Sequence, residues 1–360
     1  MNDSESHDPS SRNRKASISQ LKRIIKGVIA VLVVVGLYFA TKASFEQWRE
    51  QRSQIESQLR EIENELRTTS APLREEALRQ EQQRLQRSLP TIQNLNWRYI
   101  GFAAIIYAMG LVPNGILLHS ALYALGQRPR LSTTVAAHLL GHVGKCVPGK
   151  AMVVVLRAGA LAKEGVSALP ATICIFLETF LMMAVGGALA AAIVVWLPVP
   201  QWISLMAIGI AVCASLPTLP PIMRFAAAKV SKSRDVSQDS RIGFRLFAIG
   251  WMWSAVAWAL IGASFALLIL AIPSADPLPS LSLVYGVATA AISLAIVVGF
   301  ASLLPGGAGI RELVLTTILS VSIGTAQGLL AAIAARILFL VTEVVLAAFC
   351  WLWLKRKNPS

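Results

Sequence analysis

Long apolar runs separated by short polar stretches dominate the chain and set the first expectation for it. Runs near residues 24–41, 98–125, 169–196, 202–222, 246–272, 281–303 and 328–354 are long enough to cross a bilayer, which takes about 17–25 residues of helix. Two weaker segments, 131–165 and 305–325, are apolar but broken by Gly, Pro and charge. The pattern predicts an all-α polytopic membrane helix bundle of about seven to eight transmembrane helices, with broken or re-entrant segments. It divides the chain into a basic tail (1–23), an N-terminal anchor (24–41), a charged segment (42–96), a transmembrane domain (97–354) and a basic C-terminal tail (355–360).

Between residues 42 and 96 the pattern changes. Nine basic and nine acidic residues fall there. Apolar or neutral positions recur at Trp48, Ile55, Leu59, Ile62, Leu66, Thr69 and Leu73 in steps that reduce to three and four, with Arg52 in one seam position; this is heptad spacing. Pro72 interrupts the helix, and a second helix carrying Leu78, Leu85, Leu89 and Ile92 is expected to lead back to the membrane. An antiparallel hairpin and an oligomerising coiled coil both fit, as does a solvated charged helix without chemistry. Self-association or an envelope-enzyme partner would act through residues 44–94.

Composition narrows the class. The chain is 55% hydrophobic and 14% charged, with a mean hydropathy of +0.61, whereas soluble domains are roughly 25% charged. The net charge of +14 raises nucleic acid as a partner, but its placement excludes that reading. Lys and Arg cluster at Arg12–Lys26, at Arg128 and Arg130, between Arg224 and Arg245, and at Lys355–Lys357, while the loops 198–201 and 273–280 carry none. This alternation follows the positive-inside rule and attraction to an anionic leaflet. It predicts a multi-pass protein of the inner (plasma) membrane with a cytoplasmic N-terminus and an extracytoplasmic 42–96 segment. The long polar lead and the lack of a small-residue cleavage site after Leu37-Tyr38-Phe39 predict that the first run stays as an anchor. Cys146, Cys174, Cys213 and Cys350 form no C-x-x-C pair and read as buried free thiols.

The candidate chemistry lies in the two broken segments. Leu303-Leu304-Pro305-Gly306-Gly307-Ala308-Gly309-Ile310-Arg311-Glu312 places a glycine-rich break and two charges between apolar runs. Such a break survives in a bilayer only if buried in protein or lining a wet cavity, and ionisable residues there mark functional sites. The earlier break runs Gly141-His142-Val143-Gly144-Lys145-Cys146-Val147-Pro148-Gly149-Lys150-Ala151. Its spacing approaches a phosphate-binding loop, but Ala151 replaces the Mg²⁺-holding hydroxyl, Pro148 removes an amide, and no strand precedes it. A re-entrant helix whose N–H groups and three cations, Lys145, Lys150 and Arg157, bind an anionic head group at the cytoplasmic side fits better; snorkelling cations at the interface are the plainer alternative.

Among single residues, His138 and His142 share a helix face, yet Leu139 stands where a zinc-binding helix needs Glu, so no metal is expected. Glu178 sits mid-run and needs a cation or a proton. Arg336 and Glu343, seven apart, share a face and are candidate partners for each other or for Glu178 and Arg311. No catalytic motif is present, so no catalytic residue and no cofactor are expected.

Gly144-Lys145-x-x-Pro148-Gly149-Lys150 with Arg157 downstream, together with Pro305-Gly306-Gly307-x-Gly309-x-Arg311-Glu312, resembles the transmembrane region of lysylphosphatidylglycerol synthases, a flippase-like part that also occurs alone. The resemblance covers roughly residues 98–350. Carried residue by residue, it implicates Lys145, Pro148, Gly149, Lys150, Arg157, Glu178, Pro305, Gly306, Gly307, Gly309, Arg311, Glu312 and Arg336. Only seven residues follow Trp353, so the aminoacyl-transferase domain is expected to be absent, and with it synthase activity. The resemblance implies handling of anionic phospholipids or lipid-linked sugars in envelope assembly. The expectation is therefore translocation or presentation of such a lipid across the inner membrane. The alternatives are a scaffold recruiting envelope enzymes through its outer hairpin and a membrane-embedded lipid-modifying transferase.

Overall fold

A computed structural model of the chain describes residues 52–69, 71–89, 94–146, 151–197, 201–222, 243–274, 277–302 and 309–357, with scattered positions between 42 and 50 and at 225. The expected tail over 1–23 and anchor over 24–41 lie outside the described residues. The described elements are helices: α1 (52–68), α2 (Pro72–Ser88), α3 (Trp97–Ala124), α4 (Leu131–Gly141), α5 (Ala151–Ala162), α6 (Ala168–Val194), α7 (Gln201–Ser215), α8 (Phe244–Ala271), α9 (Leu281–Ala301), α10 (Ile310–Ser322) and α11 (Thr325–Lys357). Short 3₁₀ turns extend α4 over His142–Cys146 and α7 over Leu216–Thr218.

Pro72 opens α2, where its missing N–H would have had no helical partner. Arg74 reaches back across the turn to Glu65 at 2.9 Å, so α2 folds back along α1. Ile55 and Leu78 are the buried apolar residues of the pair, while Leu73, expected on the seam, is 84% exposed. The turn before Pro72 ends the heptad register, and Leu73 consequently points away from α1.

Six described helices are long and apolar enough to cross a membrane: Trp97–Ala124, Ala168–Val194, Gln201–Thr218, Phe244–Ala271, Leu281–Ala301 and Gln327–Lys357. Tertiary hydrogen bonds fix their directions. Asn96 N–H donates to the Ala271 carbonyl at 2.9 Å, and Gln327 Nε2 donates to the carbonyls of Ile269 and Ile272. The start of α3, the end of α8 and the start of α11 therefore share one face. Trp97 at the start of α3, Trp196 after α6 and Trp202 at the start of α7 are exposed on this side, as an interfacial aromatic belt requires. The other face carries Arg128, Arg130 and Lys355–Lys357, where Lys355 and Lys357 stack on Trp351 and Trp353.

Segment 131–165 leaves this basic face and returns to it. Arg130 N–H and the Thr133 hydroxyl, at the start of α4, both donate to Glu164, just after α5, at 3.1 and 2.7 Å. The segment is thus a re-entrant hairpin. A Cβ on Gly144 would come within 2.6–2.9 Å of the Met152 and Val153 backbone; the limbs pack more closely than any side chain there permits. The second broken segment differs in its described part: α10 climbs to the face where α11 begins, and α11 then crosses the whole bundle. The C-terminal end of α11 therefore emerges on the basic face.

Lys357 closes that face by donating to Thr133 Oγ1 at 2.8 Å and Glu164 Oε1 at 3.2 Å. Burial alone would raise the Glu164 pKa, but hydrogen bonds from Thr133, the Arg130 N–H and Lys357, with the Lys357 charge, hold it below the usual carboxylate range. A depressed folded pKa gives stability that is complete above the unfolded value of about 4.3 and is lost as pH falls through the folded one. Glu164→Gln is expected to lower the melting temperature at about pH 7 and to matter much less at about pH 3. An equal effect at both pH values would show that its charge is not what holds the face together.

Cys174 and Cys350 are free and buried, as expected, but Cys213 is exposed. It lies on α7, whose outer side also shows Leu205, Ile208 and Val212. For an apolar thiol, facing lipid is as favourable as facing protein.

Candidate functional site

Buried charges inside an apolar bundle must find partners, and here they form three groups. In the first, Arg157 on α5 donates from Nη1 to Glu178 Oε2 on α6 at 2.6 Å, with both side chains almost wholly buried. Gly141 on α4 makes room for this: a Cβ there would overlap the Arg157 side chain. Glu178 Oε1 also faces His138 Nδ1 at 3.8 Å, beyond hydrogen-bonding distance.

The second group centres on Glu343 of α11. One oxygen, Oε1, accepts from the Tyr107 hydroxyl at 2.7 Å, from Lys145 Nζ at 3.1 Å and from His142 Nδ1 at 3.2 Å. The group joins α3, the hairpin tip and α11. Glu343 lies fourteen residues before Lys357, about 21 Å along the helix axis at a rise of about 1.5 Å per residue. Lys145 therefore sits deep, and the expectation that it lies at the cytoplasmic side is corrected. The α4 limb, about 16 Å long, carries the tip into the bundle, where Glu343 neutralises the cation.

The third group lies at the second break. Glu312 Oε1 accepts from Arg336 Nη1 at 2.6 Å, and Oε2 from the Gly309 N–H at 2.8 Å. Glu312 thus caps α10, whose entry at Gly309 has φ +82°, a left-handed conformation that suits glycine. Arg311 lies over the Phe339 ring at 5.7 Å, and Phe339 stacks on Tyr107 at 3.8 Å, so the second and third groups share a wall. Arg311 Nη2 is buried with no hydrogen-bond partner among the described residues.

The expected pairings of Arg336 with Glu343 or Glu178, and of Glu343 with Arg311, are corrected. Two helical turns separate Arg336 from Glu343, about 10 Å of rise, and each finds a nearer partner on another helix. Of the residues implicated from the sequence, Lys145, Arg157, Glu178, Gly309, Arg311, Glu312, Arg336 and Glu343 belong to the three groups. Pro148, Gly149, Lys150, Pro305, Gly306 and Gly307 lie outside the described residues. Sequence reasoning passed over Tyr107, one of three phenols in the apolar run 98–125. It also passed over the use of His138 and His142, whose Nε2 atoms face each other at 3.2 Å; their four-residue spacing, three residues before Lys145, was the available signal.

Across the groups, four described cations, Lys145, Arg157, Arg311 and Arg336, meet three carboxylates. The surplus falls where Arg311 Nη2 has no partner among the described residues and where the Lys145 side chain remains 44% exposed. Chemically, this arrangement can receive an anion at membrane depth.

The model of one protein family, described as the Lysylphosphatidylglycerol synthase TM region, matches residues 81–347. The match begins earlier than the resemblance read from the motifs, within α2. No curated protein matches the chain.

Proposed function

The chain belongs to the lysylphosphatidylglycerol synthase transmembrane-region family, and from that premise we propose that it translocates or presents an anionic lipid across the inner membrane. The lipid is a phospholipid or a lipid-linked sugar used in envelope assembly, and the chain does no covalent chemistry on it. What carries this reading is the surplus cation at depth: Arg311 offers a buried N–H with no partner among the described residues, and the Phe339–Tyr107 stack links it to the Glu343 group that holds Lys145. A lipid phosphate would satisfy both, since guanidinium and ammonium donors bind phosphate oxygens through charge-assisted hydrogen bonds. Glu312 and Arg336 hold Gly309 and the start of α10 in place, and Arg157 with Glu178 braces the hairpin. In this reading the basic face is cytoplasmic.

Native mass spectrometry with lipidomics of the detergent-purified protein tests the proposal. Wild type is expected to retain an anionic or sugar-linked lipid selectively, and Arg311→Ala to lose it while melting like wild type. Equal bulk lipid on both proteins would reduce the buried charges to a structural element and overturn the proposal.

A further inference from the structure

The lipid reading makes no use of one buried set of titratable groups, His138 and His142 between Glu178 and Glu343. Their tautomers follow from their contacts. Glu343 Oε1 already holds Lys145, so it is an acceptor, and His142 Nδ1 at 3.2 Å is its donor. His142 Nε2 is then an acceptor, and His138 Nε2–H donates to it at 3.2 Å. That leaves His138 Nδ1 without a proton, buried and without a hydrogen-bond partner among the described residues, facing Glu178 Oε1 at 3.8 Å. The order is directional: a proton arriving at His138 Nδ1 releases one from its Nε2 to His142 Nε2, which releases one from Nδ1 to Glu343. One proton enters, one leaves, and both rings end neutral in the opposite tautomer.

The charges around the pair give this hop a consequence. Arg157 on α5 faces Glu178, Lys145 in the hairpin turn and Tyr107 on α3 face Glu343, and Arg311 on α10 lies beyond Phe339. While Glu343 is ionised, it neutralises Lys145. Once protonated, it no longer does, and Lys145 needs another anion. We propose that binding of a lipid phosphate at Lys145 is coupled to protonation of Glu343, with His138 and His142 relaying the proton from the Glu178 side. By linkage, a phosphate that binds the protonated form better must draw a proton onto the protein. This inference rests on the proposed lipid site.

The experiment adds phosphatidylglycerol to the purified full-length protein in weakly buffered detergent. It follows proton uptake with a pH dye in stopped flow, and bound lipid by native mass spectrometry. Wild type is expected to take up about one proton per lipid bound. Glu343→Gln, which mimics the protonated acid, should bind lipid with no uptake. His138→Gln and His142→Gln should keep the stoichiometry but slow uptake about a hundred-fold, the low end of what a positioned proton carrier contributes. Lipid binding by wild type without uptake overturns the coupling and leaves the lipid site standing, whereas no bound lipid overturns the site itself. A wild-type uptake rate in folded His variants removes the relay. The wild-type stoichiometry decides the coupling even if a variant does not fold.

Discussion

Replacing Arg157 by Met is expected to destabilise the folded bundle by about 3–5 kcal/mol, the usual cost of stranding one member of a buried ion pair. Glu178 is 2% exposed and accepts from Arg157 at 2.6 Å. Without that cation it must take up a proton or draw water into an apolar interior. His138 does not substitute for it, because its facing nitrogen stands beyond hydrogen-bonding distance. The loss also reaches the hairpin, since the Arg157 side chain fills the space beside Gly141 on the opposite limb. Adding Glu178→Leu to Arg157→Met should restore most of the stability, because two apolar side chains of similar bulk often replace a buried pair at little cost. Thermal melts in detergent compare the three proteins; a single variant as stable as wild type would show that Glu178 is not bound to Arg157 in the membrane.

The second large effect is expected at Glu343. Glu343→Leu removes the one acceptor shared by Tyr107, His142 and Lys145, and each buried donor left unsatisfied costs about 1–3 kcal/mol. Lys145, whose side chain is already 44% exposed, can turn outward and recover part of this, so the net expectation is a loss of about 3 kcal/mol. The local effect is more diagnostic than the total. Glu343 ties the hairpin tip to α11, while the hairpin's base is tied separately by Glu164 and Lys357. Hydrogen exchange should therefore quicken across His142–Cys146 and the start of α5, leaving the α3–α8 contact around Asn96 protected. Uniform quickening would mean that Glu343 supports the whole bundle and not the tip.

Much of the architecture was legible before any coordinates. The apolar runs at 98–125, 169–196, 202–222, 246–272 and 281–303 each correspond to a described crossing helix, and 328–354 lies within α11. The segment 131–165 was marked as irregular by Gly141, Gly144 and Pro148, and its interior is the re-entrant tip. Depth was harder to read. Lys145 carries an interfacial signature in sequence, because a Lys near Gly and Pro reads as a helix end at the membrane surface. The hairpin places it deep only because Arg130 and Glu164 bring both limbs back to one face.

Partner choice was not legible. Arg336 and Glu343 share a helix face, and helical periodicity alone proposes them as a pair, yet Glu312 and the Tyr107–His142–Lys145 group claim them instead. The face on which α11 ends was likewise not legible; Gln327 bonded to α8 and Lys357 bonded to Glu164 decide it together.

From the sequence alone came the helical class, the place of the six described crossings, the two breaks and the charges that had to be satisfied. These follow from a local rule: in hydrocarbon each backbone donor and acceptor must be satisfied within its own helix, so hydropathy along the chain maps onto spans. Only the tertiary structure decided which carboxylate meets which cation, how deep Lys145 lies and that two histidines lie between Glu178 and Glu343. Those are distances of a few ångströms between residues as many as 236 positions apart, set by the packing of whole helices, and no pattern along one helix contains them.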